Sequence, residues 1–225
     1  VTPFPRQPAP AFWADKERRW QAVLPDRGRR DPLRQWRHEK VSLAARFHDT
    51  VREVSEPRAC AYCDGSLTET SRETIDHFLP EHAFPELALS WDNLFPACDR
   101  CNSTYKGTRW SCRLVRPDTD PVEDLFDFDE QTGRLRPRAA LGWPMRVNVR
   151  LTIRVFRLNE GARCRARQRV WRTMFLATEN ASISADYASD GPYRFVARKA
   201  AKAMAAIRAA LEGKSGGEAR KGAEP

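Results

Sequence analysis

The stretch that decides the fold is Cys60-Ala-Tyr-Cys63 with its partner Cys98-Asp-Arg-Cys101-Asn102-Ser-Thr-Tyr-Lys106-Gly107. A C-x2-C spacing lets two thiolates on one tight turn reach the same tetrahedral ion. Two such knuckles complete a four-sulfur site, and soft thiolates at all four corners suit structural zinc. A disulfide reading explains only one pair, and nothing at Val1-Thr-Pro-Phe-Pro-Arg6 resembles a signal peptide. Cys112 and Cys164 read as ordinary thiols outside the cluster. The gap between the knuckles is too long for a simple ribbon, so the insert must carry structure of its own.

Inside that insert lie Ile75-Asp76-His77 and Trp91-Asp92-Asn93. Asp76 and Asn102 offer hard oxygen donors, which suit Mg2+ or Mn2+ better than zinc. Thr74 to Leu79 reads as a strand stopped by Pro80, so adjacent Asp76 and His77 should face opposite ways unless the strand end turns them. Asn102 and Lys106 are four apart and share a helix face, with Gly107 ending the helix. His82 and Glu81 read as loop residues rather than ligands, and His38 and His48 as helix packing or surface residues. Trp91 and Trp110 read as core around the zinc.

Charge divides the chain. The total is 39 Lys and Arg against 30 Asp and Glu. Residues 59–112 hold 4 basic and 8 acidic residues, whereas residues 139–225 hold 17 and 7. An acidic middle flanked by basic arms suits a cation site inside a polyanion-binding protein. The arginines at 146, 150, 154 and 157, and those from Arg163 to Arg169, are the expected backbone contacts; a solvated or partner-binding face is the rival reading. No apolar run is long enough for a membrane span, and a cytoplasmic setting is expected.

The order C-x2-C, Asp-His, Asn, C-x2-C-Asn, Lys resembles the HNH (ββα-metal) nuclease family over about residues 59–110. With the hairpin signal from Asp124 to Pro137, it is similar to the HNH component of Septu-type and retron-associated antiphage systems. The resemblance implies an α+β fold, predominantly helical overall, with a zinc-stapled ββα-metal core. It implies His77 as general base, Asp76 and Asn102 on one catalytic Mg2+ or Mn2+, Asn93 bracing the His77 loop, and Lys106 on a phosphate; Arg146, Arg150, Arg154 and Arg157 are expected on nucleic acid from their charge and spacing. DNA is the expected substrate and an ATPase the expected protein partner; an RNA-cleaving enzyme and a non-catalytic zinc adaptor are the alternatives.

Outside the core, Phe12–Leu24 and Leu33–Val54 read as helices, as do Gly161–Thr178 and Pro192–Leu211. The segment from Met145 to Arg157 carries two periods at once: Val147, Val149, Leu151, Ile153 and Val155 alternate, while its arginines follow a helical stripe. Helix is the reading adopted, since in the similar group Leu158-Asn159 follows a helix. The expected division is a helical extension over 1–57, the nuclease core with its hairpin over 58–138, a basic helical region over 139–212 and a disordered tail over 213–225.

Overall fold

The structure is a computed structural model. It describes residues 3–23, 46–47, 49–50, 59–67, 73–176, 188 and 191–221, with side chains to residue 210. The long helix expected over Leu33–Val54 lies mostly outside the described residues.

Helix α1 (Ala11–Val23) precedes the core. The core itself is a short antiparallel pair, β1 (Glu73–His77) and β2 (Leu94–Cys98), followed by helix α2 (Arg100–Lys106), which is wound with π-type hydrogen bonds. Asp76 lies opposite Phe95 and His77 opposite Leu94. Strand β2 is buried along its whole length. Gly107 takes φ +52°, the left-handed conformation that ends a helix without a Cβ penalty, as the sequence predicts.

A second hairpin follows helix α3 (Val122–Leu125): β3 (Phe126–Phe128) pairs antiparallel with β4 (Leu135–Pro137). Its turn needs Gly133 for two reasons. The residue has φ +70°, and a Cβ there would lie 2.2 Å from the Cys164 carbonyl oxygen. That close approach seats the hairpin on helix α5 (Gly161–Leu176).

Helix α4 spans Trp143–Val155, which resolves the double periodicity in favour of helix. Its buried residues include Val149 and Thr152. Thr152 explains the docking: its hydroxyl donates to Asn148 O and accepts the Val115 amide, both at 2.9 Å. After α4, Asn159 pairs with both backbone groups of Leu135, accepting at 2.7 Å and donating at 2.8 Å. The side-chain amide thus mimics one residue of a strand. The last helix, α6 (Arg194–Lys221), enters the segment read from composition as a tail.

Two apolar clusters hold these elements. The larger gathers the four knuckle cysteines, both hairpin strands and the inner faces of α4, α5 and α6. The smaller contains Trp13, Trp20, Phe47, Ala88, Leu89, Trp91 and Leu94. Trp91 is therefore core, but core of the α1 side rather than of the zinc side. Trp110 departs from the sequence expectation: it is 43% exposed and packs edge-on against Phe84 at 4.7 Å.

Candidate active site and metal centre

The four cysteines converge as their spacing predicts. Their sulfurs all lie within 4.8 Å of one another and all four residues are buried. Among the described residues, this is the one group of three or more His, Cys, Asp or Glu side chains gathered closely enough for a shared ion. The donor set fits a structural zinc: four soft sulfurs, closed off from water. Four thiolates around one Zn2+ leave a formal charge of about −2, which is costly in a buried site without a counter-charge.

Arg163 supplies that counter-charge. Its guanidinium donates to Cys101 Sγ at 3.1 Å and to Cys98 Sγ at 3.9 Å, and to Phe156 O at 2.6 Å. Burial alone would push Arg163 down, but the four sulfurs outweigh it and hold the guanidinium above its ordinary pKa. Arg167, one turn on, donates to Gly133 O at 3.1 Å and Leu158 O at 2.6 Å. These two arginines leave the expected set of backbone contacts, whereas Arg165 and Arg169 of the same run are exposed. Arg163 and Arg167 are buried structural donors, and arginine spacing alone does not distinguish an inward fork from an outward one.

Asp76 and His77 are the last two residues of β1. Asp76 is 2% exposed and points to the zinc side. Its Oδ2 accepts from the Tyr62 hydroxyl at 2.5 Å, and its Oδ1 pairs with Lys106 Nζ at 3.0 Å. Burial pushes the Asp76 carboxyl above its usual range, and the Lys106 ammonium and Tyr62 hydroxyl pull back without reversing it.

His77 has other partners. Its Nε2 lies 2.9 Å from Ala88 O and 3.9 Å from Glu81 Oε2. A carbonyl can only accept, so Nε2 carries the proton and Nδ1 is the basic nitrogen. Burial lowers the His77 pKa, which keeps the imidazole neutral at neutral pH. Asn93 fixes the loop that offers Ala88. Its Oδ1 accepts the Leu79 amide at 2.8 Å, and its Nδ2 donates to Leu79 O at 2.9 Å and Leu87 O at 3.2 Å.

Asn102, directly after the last zinc cysteine, donates its amide to Thr74 Oγ1 at 3.1 Å and Ile75 O at 3.0 Å. Its Oδ1 is the atom that remains for a cation. Asp76 and Asn102 thus supply hard oxygens from β1 and α2, the donor chemistry of Mg2+ or Mn2+. Lys106 departs from the expected phosphate contact. It is 1% exposed and turns inward, to Asp76 and to His77 O at 2.6 Å. The Lys106 ammonium therefore already engages one of the two Asp76 oxygens.

Of the remaining basic residues, Arg150, Arg154 and Arg157 are exposed on α4 and the turn after it, while Arg146 is partly buried. Arg157 also stacks on Tyr105 at 5.3 Å, beside Lys106 on α2. Sequence reasoning missed two contributors, Tyr62 and the inward role of Arg163. The only signal for Tyr62 was its place between two ligands.

An HNH endonuclease family model matches residues 60–107. Residues 60–107 form an HNH endonuclease domain. Relatives extend the match. The chain is 41% identical over 64 residues to Septu protein PtuB of Bacillus thuringiensis, covering 27% of this chain and 24% of that protein. It is 38% identical over 60 residues to Septu protein PtuB of Bacillus mycoides, covering 21% and 20%. It is 34% identical over 95 residues to Protein ea31 of Escherichia phage lambda, covering 41% and 30%. The chain therefore matches between about a fifth and a third of the length of these curated relatives. The matched stretch spans both cysteine pairs, β1, β2 and α2. Among the described residues, no helix is long and apolar enough to cross a membrane.

Proposed function

We propose that the protein hydrolyses DNA phosphodiester bonds as the nuclease of an antiphage defence system, acting with an ATPase partner. The observation that carries the chemistry is the pairing of His77 with Ala88 O inside a matched HNH domain. With Nε2 donating, Nδ1 is the ring nitrogen that would take a proton from water, and burial keeps the ring in its basic form. Asn93 holds the acceptor loop and so the ring's orientation.

Asp76 and Asn102 would hold one Mg2+- or Mn2+-type ion, which when bound supplies charge stabilisation at the phosphate and the leaving 3′ oxygen. The remaining chemistry belongs to the chain: His77 receives the water proton, and Lys106 and Tyr62 keep the Asp76 carboxylate in place. Products with a 5′-phosphate and a 3′-hydroxyl are what the resemblance to the family implies. The arginines at 150, 154 and 157 are exposed and would grip the nucleic-acid backbone.

The defence setting and the partner rest on the named Septu relatives and on basic helices larger than a minimal HNH core requires. The test incubates the chain with supercoiled plasmid and separately with total RNA, each with Mg2+ or Mn2+. Plasmid cleavage that disappears in His77→Ala, with zinc content retained, is the expected result. Cleavage of RNA alone would reassign the substrate, and unchanged cleavage by His77→Ala would remove the nuclease assignment. Co-purification with a co-encoded ATPase tests the partner.

A further inference from the structure

Tyr62 sits inside the first zinc knuckle, yet its side chain ends on the carboxylate of β1. Its backbone is held by the knuckle. Cys60 N donates to Gly65 O at 2.9 Å, Asp64 N to Cys60 O at 2.9 Å, and Ala61 N to Pro96 O on β2 at 3.0 Å. Its ring is held by the C-terminal arm: it stacks on Phe156 with centroids 4.2 Å apart and planes 16° apart, and tilts against Phe95 at 5.9 Å. Its hydroxyl reaches Asp76 Oδ2. Three parts of the molecule therefore meet in one side chain.

Packing alone does not account for this. A phenylalanine would fill the same stacked position without burying a hydroxyl, and a buried hydroxyl costs free energy unless it is bonded. Here its acceptor is Asp76, whose other oxygen already holds Lys106. The χ2 torsion of an aspartate is broad on its own. Donors on both oxygens, one from the knuckle and one from α2, fix the plane of the carboxylate.

We propose that Tyr62 is a positioning residue that ties the zinc knuckle to the cation-binding carboxylate, its hydroxyl fixing Asp76 in the orientation that receives the divalent ion. The proposal rests on the nuclease reading of Asp76 above. It gives the four-cysteine site a second role: besides stapling the fold, the knuckle sets the geometry of the ion site through one hydroxyl.

The test compares the full-length protein with Tyr62→Phe, which keeps the stacked ring. Four quantities are measured: zinc per chain, thermal midpoint, Mn2+ affinity by calorimetry without nucleic acid, and plasmid cleavage resolved into kcat and KM. The expected result is unchanged zinc content, Mn2+ bound about tenfold or more weakly, and kcat reduced by at least about tenfold, with KM for plasmid within about threefold; outer partners of metal ligands have effects of this size. Wild-type Mn2+ affinity and kcat in Tyr62→Phe would overturn the proposal. So would loss of zinc, because the hydroxyl would then serve the knuckle rather than Asp76. The Mn2+ titration needs no cleavage, so a wild-type protein that cuts neither plasmid nor RNA removes the nuclease reading while the binding comparison still decides the role of Tyr62.

Discussion

At the scale of single residues, Arg163 shows how a buried charge is retained when it has a specific counter-charge. Its guanidinium spans the zinc sulfurs and the Phe156 carbonyl, and its planar fork packs over Tyr105 at 5.1 Å. Lysine could keep the charge but not the fork. Arg163→Lys should therefore release zinc to a chromogenic chelator about tenfold faster or more, because donors to metal-bound thiolates tune retention. Arg167→Met is the control. It removes donors to Gly133 O and Leu158 O, leaving buried carbonyls unpaired at a cost of about 1–3 kcal/mol, without touching a sulfur. Zinc release should follow Arg163 and not Arg167, while the thermal midpoint should fall in both. Equal release rates in wild type and Arg163→Lys would reduce Arg163 to a packing residue.

At the scale of elements, the N-terminal strap is bound by a carboxylate. Arg6 donates to Asp118 Oδ2 at 2.6 Å, to Trp91 O at 2.7 Å and to Leu94 O at 3.0 Å, and Arg116 donates to Asp118 Oδ1 at 2.7 Å. Burial pushes the Asp118 carboxyl up, but the Arg116 and Arg6 hydrogen bonds more than reverse it, so its pKa lies below the ordinary value. A depressed folded pKa contributes stability that is present above the unfolded value of about 3.9 and is lost as pH falls through the folded value. The thermal midpoint of wild type should drop through that acid window more steeply than that of Asp118→Asn. Asp127 and Asp129 are also held low, so the difference between the two proteins is the readout. Parallel curves would show that the strap is not carboxylate-linked.

The same scale shows what the sequence made legible. The knuckles, β1, the Gly107 stop and the β3–β4 hairpin follow from short-range chemistry: ligand spacing, a proline, a left-handed glycine and an acidic-apolar alternation. Helix α4 did not follow from pattern, because alternation and a helical arginine stripe coincide over 145–157. Tertiary packing decided it, through Val149 and the Thr152 bridge to Val115. The site was readable as a set of residues but not as a set of orientations. Lys106 lies on the expected face, yet whether an amine four residues from Asn102 turns out to a phosphate or in to Asp76 depends on what lies across from it. Only the fold places the Asp76 carboxylate there.

At the scale of the molecule, the charge asymmetry needs restating. The C-terminal excess of basic residues includes Arg163 and Arg167, which are consumed inside the fold. It also includes Arg194 and Arg198, which pair with Asp64 at 3.2 Å and Glu123 at 2.7 Å. The part available to a polyanion is smaller than composition suggests; it includes Arg150, Arg154 and Arg157 on α4 and its exit turn, and also Arg165, Arg169 and Arg172 on α5. Arg157 lies over Tyr105, the residue before Lys106 on α2. Replacing Arg150, Arg154 and Arg157 with glutamine should therefore weaken plasmid binding. It should also flatten the plot of log affinity against log salt by about 0.9 for each duplex phosphate that is no longer neutralised. Zinc content and Mn2+ affinity should not change, because none of the three touches a ligand. If affinity and salt slope stay at wild-type values while binding to a co-encoded ATPase is lost, the arginine face is a protein interface.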